Sequence, residues 1–377
     1  MLILVHKNSE EILPQKLRHY KFDQNSIDWI HSFFNGRKQF VAINGKISSI
    51  ESLRDISVTQ GSPSGPPYFN VYINDLEFNT NFITFLFADD TNFLSSHKCL
   101  NELEKTANLE FSNAKKFLDA NKLSLNLDKT KFMLFHPKNN SKTDQVFELK
   151  SGDHKFQKVD ELKFLGIQIP TDLKFKSHYE KVINKMKSGI AALYLVRNML
   201  PTKTKLQIFN GLVKSHYEYC CLAWFPSLNN KQINTIVKLQ KRGLRLVFSA
   251  NKLSHSSNLF IKAKITRFDL IFKKSCIELF HKKHLNLLPK MLRDKLDDIE
   301  KSKNKRTNNL KIPSAYKKGD LFYEIINCWN NLPPNVKEIP DKYFKSKKNI
   351  LNYINSEYVI CKLKNCEACA ISPVIDI

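Results

Sequence analysis

The spacing of apolar side chains changes for good near residue 177, and that change fixes two kinds of architecture joined in series. After it, Val182, Met186, Ile190 and Leu193 recur every three or four positions, the spacing of a helix with one buried face. Pro201 stops that helix. A second helix is expected from about Thr202 to Cys221, and a third from about Lys231 to Val247. Before residue 177, short runs of β-branched and aromatic residues alternate with helical spacing, the pattern of an α+β domain. The chain is therefore divided into an α+β part over 1–175, an all-α bundle over 176–252 and a basic region over 253–377. That last region holds a lysine-rich linker around 300–309 and a small C-terminal module.

Within the first part, Leu13, Leu17, Ile27, Ile30 and Phe33 suit amphipathic helices, with Pro14 tolerated in an early turn. Phe40 to Ile43, then Asn44-Gly45, then Ile47 to Ile56 signals a hairpin. The turn-rich run Gln60 to Pro67 leads into a helix over Tyr68 to Leu76. Phe82 to Phe87 and Thr91 to Leu94 read as two strands joined by a tight turn that carries Asp89 and Asp90. Phe85, Leu86, Phe87 and Phe93 are expected to bury its flanks. Leu100, Leu103, Ala107, Phe111, Ala114 and Leu118 form one helix face, and Leu123–Leu127, Phe132–Phe135 and Phe164–Ile167 read as short strands.

Sixty Lys and Arg against 36 Asp and Glu give a formal charge of +24. Such a surface attracts a polyanion, and nucleic acid leads the candidates. In the third helix of the bundle Lys238, Lys241, Arg242 and Arg245 leave the apolar stripe intact and are expected to face solvent. The opening Met1 to Val5 is too short for a signal sequence or a membrane span. Eight scattered cysteines in a chain this long need no disulfides, so an intracellular, reducing compartment, nucleus or cytoplasm, is expected.

Two adjacent carboxylates at a hairpin turn are ordinarily solvated turn residues. Held rigidly, they are also the hard oxygen donors that magnesium requires, and a pair of such ions can bridge the attacking and leaving oxygens of an in-line phosphoryl transfer. Four blocks occur in order here: Thr59-Gln60-Gly61-Ser62-Pro63-Ser64-Gly65-Pro66 with Phe69 to Leu76; Phe87-Ala88-Asp89-Asp90-Thr91; Asn121 to Asn126 with Lys129-Thr130-Lys131; and Phe164-Leu165-Gly166-Ile167. Together they resemble the palm of reverse transcriptases from non-LTR retrotransposons. Gln240 to Arg245 and Trp329-Asn330-Asn331-Leu332-Pro333 resemble blocks in the C-terminal parts of the same polyproteins.

The resemblance implies a polymerase palm, an antiparallel sheet with helices on one face, followed by a thumb-like helical bundle. It implies an RNA-directed DNA polymerase using magnesium, an RNA template and a DNA primer. Asp89 and Asp90 would be the catalytic, metal-binding pair. Gln60 and Gly61 would line the nascent base-pair pocket, with Lys129 near the incoming phosphates. Phe164, Leu165 and Gly166 would form the primer grip, and Lys238, Lys241, Arg242 and Arg245 would contact nucleic acid. One position departs from the family: its first catalytic aspartate is replaced by His6, a poor donor for magnesium. A start truncated relative to the family and a chain unable to polymerise alone are expected. The alternative is a non-catalytic remnant that binds nucleic acid through its basic surface. Lys214 to Tyr219 with Trp224-Phe225 reads either as a base-stacking surface or as core and rim. Cys361, Cys366 and Cys369 read either as thiols on a tail or as part of a zinc site that lacks a nearby fourth ligand.

Overall fold

The computed structural model describes residues 3–5, 12–34, 36, 38–52, 62–136, 147–252, 254–301, 309–337 and 343–358. It divides into two compact units, Met1–Asp160 and Glu161–Ile377. His6, Gln60, Gly61, nearly all of the lysine-rich linker and the three C-terminal cysteines lie outside the described residues.

In the first unit, β1 (Ile3–Val5) precedes α1 (Ile12–His19) and α2 (Gln24–Phe34). Pro14 sits in the first turn of α1, where its missing N–H is not needed. A two-stranded arm follows, made of β2 (Lys38–Gln39), β3 (Ala42–Ile43), β4 (Lys46–Ile47) and β5 (Glu51–Ser52). It closes through Asn44 and Gly45 at φ 49° and 78°, both left-handed, as the Asn-Gly pair requires. Next come α3 (Gly65–Ile73), started by Pro66 and Pro67, and a 3₁₀ extension over Asn74–Asn79. The strands β6 (Ile83–Phe87) and β7 (Asp90–Leu94) form a hairpin in the register Phe87↔Asp90, Leu86↔Thr91.

The 21-residue α4 (Leu100–Ala120) turns Ala107, Phe111, Ala114, Phe117 and Leu118 inward. After it come β8 (Leu123–Leu125), paired antiparallel with β1, and β9 (Lys131–Phe132). Three more two-residue strands follow: β10 (Lys150–Ser151), β11 (His154–Lys155) and β12 (Gln157–Lys158). The core of this unit gathers Leu13, Leu17, Ile27, Ile30, Tyr72, Ile73, Leu76, Ala114, Leu118 and Leu123. Among the described residues the strands pair only two by two, with β9–β12 parallel and the rest antiparallel. The strands run two to five residues each, and no sheet wider than two strands occurs among the described residues.

The second unit opens with the hairpin β13 (Glu161–Phe164) and β14 (Ile167–Pro170). Phe164–Ile167 is thus not one strand. Leu165 and Gly166 reverse the chain at φ 44° and 88°. Helix α5 (Lys176–Leu195) buries Val182, Met186, Ile190 and Leu193. The second predicted helix is broken instead of continuous. It begins as α6 (Thr202–Phe209), widens into a π-helical turn over Asn210–Lys214, continues as α7 (Ser215–Glu218), and stops where Cys220 turns left-handed at φ 47°. A short α8 (Cys221–Trp224) follows. Helix α9 (Asn230–Val247) begins with a capping box between Asn229 and Gln232.

The remaining helices are α10 (Ser256–Ala263), α11 (Phe268–His284), α12 (Lys290–Lys301), α13 (Leu321–Asn330), α14 (Pro334–Lys337) and α15 (Tyr343–Ser356). Helix α11 is buried on most of its faces and is the hub, burying Phe268, Ile271, Phe272, Cys276, Ile277 and Phe280 as well as His281 and Lys283. Trp224 stacks on Phe268 at 5.6 Å and Trp329 on Phe280 at 4.1 Å. One continuous core therefore runs from Ile167 to Tyr358. No helix among the described residues is long and apolar enough to cross a membrane.

Candidate catalytic turn and nucleic-acid interface

Asp89 and Asp90 stand at the tip of the β6–β7 hairpin, both exposed. Ala88 before them adopts φ 50°, a left-handed conformation that costs a non-glycine residue about 1–2 kcal/mol. The base of the hairpin is anchored by Glu110 of α4, buried, whose carboxylate accepts the Asn81 backbone N–H at 2.7 Å and its side-chain amide at 2.9 Å. Those hydrogen bonds hold the Glu110 carboxyl below its ordinary range. Inward from the tip, Leu86 and Phe93 pack on the core, and Phe93 stacks on Phe82 at 4.9 Å.

The flanks are not buried as the sequence reading expects. Phe85 and Phe87 are 42% and 61% exposed, because strand alternation turns Thr84 and Leu86 inward and sends Ile83, Phe85 and Phe87 to the other face. As donors, two adjacent carboxylates suit magnesium in kind. No cluster of three or more His, Cys, Asp or Glu side chains able to hold a metal occurs among the described residues. Asp89 and Asp90 are thus the only adjacent carboxylate pair at this turn among the described residues.

Lys129 is exposed in the turn after β8, in the same unit as Asp89. Asn126 shapes that turn: its side-chain oxygen accepts the Lys129 N–H at 3.1 Å and its carbonyl accepts the Thr130 hydroxyl at 2.8 Å. Phe164, Leu165 and Gly166 belong to the second unit. The hairpin that carries them is fixed at its base by Glu161, which accepts hydrogen bonds from Gln168 and Ser177 at 2.7 Å each. His178, buried in α5, accepts the Gln168 N–H at 3.4 Å. Burial, then the charge of Lys181, pushes its pKa down.

Lys238 and Arg242 on α9 are exposed, whereas Lys241 and Arg245 are half-buried and so depart from the expected solvent-facing set. Arg245 turns back to donate to the Ser254 carbonyl at 3.0 Å. Burial lowers the Lys241 pKa, and the charges of Arg267 and Arg245 lower it further. Crowding of like charge is general in this unit. Residues 161–377 hold 40 of the 60 Lys and Arg but only 17 of the 36 Asp and Glu, a formal +23 against +1 for residues 1–160. From Lys181 to Phe268 sixteen cations meet one carboxylate, Glu218, which pairs with Lys214 at 3.3 Å.

Sequence reasoning placed Tyr219 only within the Lys214–Tyr219 run and missed its contact with the 164–166 turn. Tyr219 donates its hydroxyl to the Leu165 carbonyl at 2.7 Å from 54 positions away, a contact with no local signature. A search of curated proteins finds no match to the chain. Residues 9–169, a span containing the Asp89–Asp90 turn, Lys129 and the Phe164–Gly166 turn, match the family model described as reverse transcriptase (RNA-dependent DNA polymerase).

Proposed function

We propose that this chain derives from a non-LTR retrotransposon reverse transcriptase, grips an RNA template and a DNA primer through its basic helical part, and does not extend the primer by itself. The observation that carries this reading is the segregation of charge, with +23 of the +24 in residues 161–377. Cations crowded as Lys241, Arg245 and Arg267 are repel one another, and a phosphate backbone relieves that repulsion while releasing counterions. In this reading residues 176–252 act as the thumb-like domain. Lys238 and Arg242 make phosphate contacts, and Lys241 and Arg245 shape the surface beneath them.

Asp89 and Asp90 are the carboxylates that would hold magnesium, and Gln60, Gly61 and Lys129 would face the incoming nucleotide. Bound magnesium supplies charge stabilisation at the reacting phosphate. With His6 where the family places an aspartate, one anionic ligand is missing, and a loss of roughly 4 kcal/mol or more in the barrier follows from losing one side of a two-ion bridge.

The test is a gel extension assay and a binding titration on the same preparation, using an RNA template annealed to a labelled DNA primer. Binding should weaken by powers of ten from low to moderate salt, with negligible extension in magnesium and deoxynucleotides. The variant Lys238→Ala/Arg242→Ala should lower the slope of log K against log salt by about 2. Robust extension by the unmodified chain overturns the inactive reading, and salt-independent or absent binding overturns the nucleic-acid reading.

A further inference from the structure

We propose that Tyr219 is a positioning residue: it fixes the Leu165–Gly166 turn so that the backbone N–H groups at its tip meet a phosphate of the primer strand. The strand contact rests on the nucleic-acid reading above; the hold of Tyr219 on the turn does not. Leu165 at φ 44° and Gly166 at φ 88° are both left-handed, the geometry of the tight turns that close two-residue hairpins. Glycine adopts it freely, but leucine does not, so something must hold Leu165 there. Neither residue takes part in the strand ladder, which ends at Phe164↔Ile167, and Gly166 is exposed at the tip of the hairpin. Backbone N–H groups outside a ladder, on a fixed turn, are available to a phosphate oxygen.

Tyr219 is built as a strut between that turn and the core. Its hydroxyl donates to the Leu165 carbonyl at 2.7 Å, and its ring edge lies 3.6 Å from the position a Cβ on Gly166 would take. Its own carbonyl accepts the indole N–H of Trp224 at 3.1 Å, and Trp224 is completely buried against Phe268 and His178. Its N–H reaches the Ser215 carbonyl at 3.3 Å. Tyr219 itself ends the helix, with an extended ψ of 121°, and the left-handed Cys220 follows before α8 begins. Half of the Tyr219 side chain is solvent-exposed, so the hydroxyl is not there to satisfy a buried carbonyl, which water could reach equally well. What the bond does is choose one conformation of the turn.

The experiment uses the full chain in four forms: unmodified, Tyr219→Phe, Leu165→Asn, and both together. Amide hydrogen exchange over residues 164–167 is read without nucleic acid, and affinity for the RNA template–DNA primer duplex is read across a salt series. Losing one hydrogen bond should speed exchange at the turn and weaken binding about five- to tenfold in Tyr219→Phe, with the salt slope unchanged because no charge is lost. Leu165→Asn makes Asn-Gly, the strongest sequence for this turn, so the double variant should recover exchange protection and affinity relative to Tyr219→Phe. Unchanged exchange in Tyr219→Phe overturns the proposal. An affinity loss that Leu165→Asn does not restore also overturns it, because Tyr219 would then touch the strand directly. If the unmodified chain binds no duplex, the nucleic-acid reading and the phosphate contact fall together, and exchange alone decides whether Tyr219 holds the turn.

Discussion

Gly189 is where the helical unit tolerates least change. On α5 it faces the π-helical turn, and a Cβ there would run into the Leu212 carbonyl oxygen, lie 2.9 Å from the Leu212 carbonyl carbon and touch the Val213 side chain at 3.0 Å. The obstacle is backbone, so no rotamer change relieves it. Gly189→Ala must push α5 away from residues 210–214 or flatten the π turn. Overpacking of this kind costs about 3 kcal/mol at the upper end of its usual range, from which about 1 kcal/mol is recovered because alanine is the better helix former. A net loss of about 2 kcal/mol in a unit of this size lowers the melting temperature by roughly 4–8 °C.

Gly211, immediately before Leu212 on the π segment itself, has nothing within 4 Å of its Cβ position, so Gly211→Ala should be neutral or stabilise by up to about 1 kcal/mol. Tryptophan fluorescence in a urea titration reads this unit selectively. Trp224 and Trp329 are buried in its core, whereas Trp29, the third tryptophan, is largely exposed in the other unit. If Gly189→Ala unfolds at the same urea concentration as the unmodified chain, or if both variants shift the same way, the close crossing is not what holds α5 in place.

Two further outcomes follow from buried titratable groups. His178 and His281 are buried, and desolvation depresses both pKa values below the ordinary 6.5, so folding favours their neutral forms. Their contribution is complete above pH 6.5 and is lost as pH falls below it, with a slope of at most about 1.4 kcal/mol per pH unit for each ring; urea midpoints at pH 7.5 and 5.5 check this, and an equal or higher midpoint at pH 5.5 refutes it. In the first unit, Lys16 donates to the Tyr72 carbonyl at 2.6 Å and to Asp75 at 2.8 Å from a half-buried site. Lys16→Met should destabilise the junction of α1 and α3 by about 1–3 kcal/mol, read as faster hydrogen exchange in both helices, and unaltered exchange would show that the ion pair is ornamental.

The sequence is most legible where local geometry and burial point the same way. The Asn44-Gly45 hairpin, the apolar face of α4 and the stripe of α5 each follow from one rule and appear in the structure. The β6–β7 strands and their turn were equally legible, but aromatic content was mistaken for burial. Only alternate positions of a strand can face one core, so Phe85 and Phe87 could not both join Leu86. The π turn was hidden because one extra residue shifts a helical stripe without erasing it. The Arg245–Ser254 hydrogen bond and the charges of Arg267 and Asp269 acting on Lys241 come from outside α9, where helical spacing cannot reveal them. The Tyr219–Leu165 bond depends on tertiary placement alone.

The uneven distribution of charge also bears on how the two units behave in solution. A surface near neutrality has no long-range repulsion to keep copies apart, and residues 1–160 combine a formal +1 with exposed Phe40, Ile43, Ile47, Phe85 and Phe87. Cut from the rest, that segment should cluster at concentrations where the intact chain stays dispersed. The excess cations of residues 161–377 should thus keep the chain dispersed, and anything that neutralises them, a bound polyanion included, should bring it closer to precipitation.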